Sequence, residues 1–130
     1  MNISGSLHQI LSRGDTLADL FYLVFLERFP EIQEKFRDVD MKHQTVLLTM
    51  SLMVIERHHE CRYAATKAYL KMLGKQHQER GIGAELFPKW RSALLESLER
   101  FHSMDWNQTL AEQWRQAIDE ASEIMLSAYA

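Results

Sequence analysis

FYLVFLERFPEIQEKF, residues 21–36, decides how the rest of the chain is read. Together with Leu17–Leu20, its first nine residues are apolar on most of a helical circumference, which predicts a heavily buried helix. Pro30 has no N–H to donate, and its ring clashes with the preceding turn, so that helix stops there. The same proline suits the first turn of a short second helix, PEIQEKF. Two helices thus meet with almost no loop, and the chain turns a sharp corner. Phe25, Phe29 and Phe36 cluster around it. A simple up-and-down bundle has no use for such a corner.

Outward from the corner, every signal is helical. Gly14-Asp15-Thr16 reads as the start of the buried helix, with Asp15 or Thr16 as cap. Asp38 or Asp40 caps a helix from Met41 to about Glu56. The polar run RHHECR, residues 57–62, reads as a connector. A further helix covers roughly Ala64 to Gln78 and ends at Gly81 and Gly83. Pro88 begins one that reaches about Phe101, and Trp106-Asn107 begins the last. A short N-terminal helix brings the expected number to seven. No sustained period-2 alternation and no Asn-Gly or Asp-Gly turn occurs, so the predicted class is all-α.

The composition bounds the function. With 130 residues, 46% of them hydrophobic and 25% charged, the chain reads as one soluble domain burying about two-thirds of its unfolded surface. A net charge of −3 gives no drive toward nucleic acid or anionic lipid. The longest apolar run, Val46–Ile55, is broken by Thr49 and Ser51 and is too short to span a bilayer. The opening MNISGSLHQI has neither a basic start nor a long apolar core, so no signal peptide is expected. One cysteine, Cys61, excludes a disulfide scaffold and fits a reducing, cytoplasmic compartment. His58, His59 and Cys61 are metal-ligand types in a polar turn, where solvation explains them as well as a metal does.

His77 carries the chemistry. In LKMLGKQHQERGI, residues 70–82, it falls on one helical face with Leu70 and Leu73. A histidine near a helix C-terminus is commonly a satisfied structural residue, favoured as a cation by the helix dipole. A neutral imidazole on an apolar stripe is also the axial ligand that an iron porphyrin needs.

At this point the chain resembles a bacterial single-domain globin, related to the haem domain of flavohaemoglobins. In residues 21–36, Tyr22 lies eight residues before Pro30 and Phe36 six after it, as in globins. A polar residue follows Phe36 by seven or eight, His43 or Gln44. LGKQHQERGI is similar to the proximal-histidine stretch, with Gly81-Ile82 behind His77. Pro88 stands eleven residues after that histidine, and Trp114 lies early in the final helix.

The resemblance implies a single globin domain over 1–130, with six to seven helices around a pocket for haem b. It implies His77 as proximal iron ligand, its second ring nitrogen donating to a backbone carbonyl near Leu73. Phe36 would stack on the porphyrin, with Leu73, Ile82, Phe87 and Trp90 around the proximal side. Tyr22 would hydrogen-bond a gaseous ligand. The distal register stays open. If Gln44 faces the iron, Leu48 is its apolar neighbour and Val46, Leu47 and Met50 turn to solvent. If His43 faces it, Leu47 is the neighbour, and His43 could itself bind the iron when no gas is present. The amphipathic pattern leans to His43; Tyr with Gln is the commoner family pair. Arg80 and Lys75 are candidates for the haem carboxylates. Phe87 stands where many flavohaemoglobin-type domains carry a Tyr, which implies a milder, myoglobin-like proximal side.

The function implied is reversible binding of oxygen, and of nitric oxide or carbon monoxide. Nitric oxide dioxygenation would need an external reductase. A gas or redox sensor acting through a signalling partner and a haem-free interaction module are the alternatives. No membrane or nucleic-acid partner is expected.

Overall fold

Pro30 breaks the chain where the sequence requires it in the computed structural model, which describes residues 1–129. Before it come α1 (Ile3–Ser12) and α2 (Thr16–Arg28). A seven-residue 3-10 helix, Pro30–Phe36, follows. Then come α3 (Met41–Cys61), α4 (Ala64–Glu79), α5 (Phe87–His102) and α6 (Gln108–Leu126). Single 3-10 turns at Ala84–Leu86 and Ser103–Asp105 flank α5. The described residues include no strand, and the all-α expectation holds.

Short polar side chains start three of these helices by accepting the free N–H groups of the first turn. Asn2 accepts from Gly5 N, Asp40 from Lys42 N and His43 N, and Asn107 from Leu110 N. Asp15 precedes α2 but makes no such bond; the Thr16 hydroxyl instead donates to Arg13 O at 2.7 Å.

One boundary differs from the sequence reading. The run 57–62 is no connector: α3 continues to Cys61 and ends only where Arg62 adopts a left-handed backbone, φ 52°. Tertiary contacts decide this. Glu56 and His58 are buried. Glu56 accepts from the Ser4 hydroxyl of α1 at 2.6 Å and from Arg57. The His58 ring meets the Thr66 hydroxyl of α4 at 2.7 Å. His59 is turned toward Glu120, and Cys61 is exposed. The described residues hold no cluster of three or more metal-ligand side chains, and the proposed trio points three ways.

α2 packs on α5, while α6 lies against both α3 and α4. The two largest fully buried side chains are Trp114 of α6 and Phe21 of α2. Leu23 on the far side of α2 remains 62% exposed, so that helix is buried on less of its circumference than its composition suggests. α4 approaches α6 at Gly74, where a methyl group would stand 2.1 Å from the carbonyl oxygen of Met125. No helix among the described residues is long and apolar enough to cross a membrane.

Candidate functional site

A cavity of about 210 Å³ opens among α2, the 3-10 helix, α3 and α4. Its floor is apolar: Phe21, Phe25, Ile32, Leu48, Ile55 and Met125. The corner at Pro30 builds one end. Phe25 pairs edge-on with Phe29 at 6.0 Å between centroids, and Phe36 pairs edge-on with Tyr22 at 5.5 Å. Tyr22 and Phe36 therefore reach the cavity as one aromatic unit.

His77 enters from the last turn of α4. Its Nδ1 lies 2.7 Å from the carbonyl oxygen of Leu73. A carbonyl only accepts, so the proton sits on Nδ1, and in the neutral ring Nε2 keeps a lone pair. The carbonyl contact thus sets both ring orientation and tautomer. Phe87 packs against the ring at 6.5 Å between centroids.

The glycine behind His77 has a geometric reason. Gly81 has φ 79°, a left-handed conformation that costs glycine nothing. The chain reverses there: Gly81 N donates to Gln78 O and Ile82 N donates to His77 O, both at 3.0 Å. This paired arrangement ends the helix and turns Ile82 back into the cavity. Two outside groups hold the turn. The Tyr129 hydroxyl donates to Ile82 O at 2.7 Å, and Lys35 Nζ donates to Gly81 O at 3.0 Å.

Tyr22 and Gln44 supply the polar part of the opposite wall. Burial pushes the Tyr22 hydroxyl up to about 12, with the nearby Gln44 side chain opposing that rise in part. The group is thus a neutral O–H donor at any physiological pH.

On α3 the residue that reaches the cavity is not the one the amphipathic pattern favours. Gln44 lines the cavity, whereas His43 is exposed beside the Asp40 cap. The inward stripe is Gln44, Leu47, Leu48, Ser51 and Ile55, so Leu47 and Leu48 both face inward and Leu47 does not turn to solvent. The sequence misleads because the outward face of α3 is itself apolar: Val46, Met50 and Met53 are 44%, 49% and 44% exposed.

Leu73, Ile82, Phe87 and Trp90 line the cavity with His77, as expected by position. Arg80 lines it, as does Lys35, whereas Lys75 is exposed and is not part of the lining. Ser51, Tyr69, Gln76 and Lys35 were missed. Of these, Gln76 and Lys35 are exposed side chains at the rim, which periodicity does not distinguish from any solvated residue.

A globin family model matches residues 18–125, and the chain belongs to the globin family. Its fold is similar over 99% of both chains to a Pseudomonas aeruginosa protein described as structurally highly homologous to a human hemoglobin, with a TM-score of 0.82 and 26% identity. A bacterial globin from Campylobacter jejuni shares the fold at TM-score 0.71 and 16% identity, over 97% of this chain and 90% of that one. Globin CTT-VIIB-6 of Chironomus thummi thummi is 25% identical over 75% of this chain and 68% of its own length. The bacterial-globin reading of the sequence is thereby upheld.

Proposed function

We propose that this globin holds haem b in the cavity described and binds a diatomic gas there. The observation that carries the reading is the His77 ring, whose Nδ1–H is committed to Leu73 O and whose Nε2 is left with a free lone pair in a largely apolar cavity. That is the chemistry an iron porphyrin requires of an axial ligand. The rest of the lining fits the same group. Phe36, Leu48, Leu73 and Ile82 provide apolar surface for a large flat ring, and Lys35 and Arg80 place cations at the rim for its carboxylates.

When bound, the iron porphyrin supplies reversible affinity for oxygen and related gases. Tyr22 donates a hydrogen bond toward a polar gas ligand, and Gln44 beside it orients that donor. Phe21, Phe25 and Leu48 keep water from the same space. His43, on the solvent face, takes no part as an iron ligand. The exposed thiol of Cys61 fits a reducing, cytoplasmic setting.

Replacement of His77 by Gly tests this. The wild-type chain should take up one equivalent of haem, and the variant should do so only when imidazole is added to refill the position. Equal haem affinity and an identical Soret band without imidazole would remove His77 from the account.

A further inference from the structure

Outside the cavity lining, three buried polar side chains from three helices meet. Ser6 of α1 and Trp114 of α6 are fully buried, and His102, at the end of α5, is 5% exposed. The Trp114 indole N–H donates to Ser6 Oγ at 2.9 Å. Ser6 Oγ and His102 Nε2 are 2.5 Å apart. Aromatic walls close the rest: Phe101 meets the imidazole edge-on at 5.0 Å, and Trp106 lies nearly parallel to it at 6.1 Å. His102 Nδ1 is buried, and no group among the described residues hydrogen-bonds it.

We propose that Ser6, His102 and Trp114 form an acid-sensitive clasp, in which the neutral imidazole holds α1 on α5 and α6 and its protonation releases α1. In the neutral ring Nε2–H can donate to Ser6 Oγ, which leaves only uncharged groups, the Nδ1 lone pair and the Ser6 hydroxyl proton, without partners. An imidazolium adds a second N–H at Nδ1, a charged donor in an aromatic pocket with nothing to receive it. Burial accordingly holds the ring below the usual histidine range; Asp105, in the turn after α5, pulls the other way, and Arg13, at the end of α1, adds to the depression. α6 brings no charge to the ring, only the Trp114 indole. Ser4, two residues before Ser6, also holds Glu56, which adjoins the cavity-lining Ile55. Release of α1 therefore frees the far end of α3.

The sign follows from the depressed folded pKa. The clasp is intact above the unfolded histidine value of about 6.5 and weakens as pH falls below it, up to tenfold per pH unit for one proton. Hydrogen exchange of the full chain, corrected for the intrinsic pH dependence of exchange, reads this directly. Between pH 7.5 and 5.5 the protection of residues 3–12 should fall several-fold while that of α4 stays level. His102→Gln, which has no proton to gain, should flatten the α1 response. Should that variant fail to fold, the ring of His102 can be titrated by NMR in the wild type, where its protonation and the loss of α1 protection should share one midpoint. Protection of α1 that ignores pH, an unchanged response in His102→Gln, or a ring that titrates with α1 still protected would each overturn the clasp.

Discussion

Tyr22 shows how one residue type acquires a role from its surroundings. A tyrosine in an apolar helix is ordinarily core, and the sequence offers no way to tell where its hydroxyl points. The structure sets it in the cavity beside Gln44 and opposes its ionisation. A hydrogen bond to a partly charged ligand is worth about 1.5–3 kcal/mol. Stopped-flow measurements on Tyr22→Phe should therefore show oxygen release accelerated roughly ten- to hundredfold. Carbon monoxide, less polar, should be released only slightly faster; equal effects on both gases would mean the hydroxyl serves packing alone. The neighbouring pair gives a sharper comparison. Gln44→Leu should change oxygen release and His43→Leu should leave it alone, because only Gln44 faces the cavity. His77 was legible from its stripe with Leu70 and Leu73, since both leucines are apolar and face inward in a run otherwise rich in polar residues. The choice between His43 and Gln44 was not, because Val46, Met50 and Met53 give α3 an apolar face on each side.

The elements themselves were largely legible from their breakers. Pro30, Asp40, Gly81 and Asn107 act through local backbone chemistry, which a sequence displays. The end of α3 was hidden because Glu56 is held by Ser4, remote in sequence, and His58 by Thr66 on the next helix. Gly74 was equally hidden. It looks like a weak point within a helix, yet it is where α4 and α6 touch backbone to backbone. A methyl there meets Met125 main-chain atoms at 2.1–2.6 Å, and main chain cannot swing aside. Gly74→Ala should lower unfolding stability by roughly 3 kcal/mol through overpacking. Gly5→Ala is the control: its added methyl meets only side-chain atoms, Met1 Cγ at 3.2 Å and Asn2 Oδ1 at 3.5 Å. Denaturant melts should separate the two variants widely, and equal midpoints would show that α4 and α6 are not in register at Gly74.

At the scale of the molecule, α2 to α6 all contribute to the cavity lining, while α1 is held outside it through Ser4 and Ser6 by Glu56 and His102. Their acid response falls in two windows. Burial alone would raise the Glu56 carboxyl, but hydrogen bonds from Arg57 and Ser4 outweigh it and hold the group below the ordinary glutamate range. Its contribution is present above about pH 4.5 and is lost as pH falls further. Thermal melts should thus show a first decline below about pH 6.5 from His102 and His58, both held low by burial, and a second below about 4.5. Glu56→Gln should remove only the second, and a variant that still shows it would place that limb on other carboxylates.

The central claim concerns His77 and the cavity together, and the absorption spectrum of the purified chain tests it most directly. Reconstituted with one equivalent of haem, it should show a Soret band at a one-to-one ratio with protein that shifts on reduction and shifts again with carbon monoxide. A chain that leaves haem free in solution, or whose reduced spectrum ignores carbon monoxide, would contradict the account.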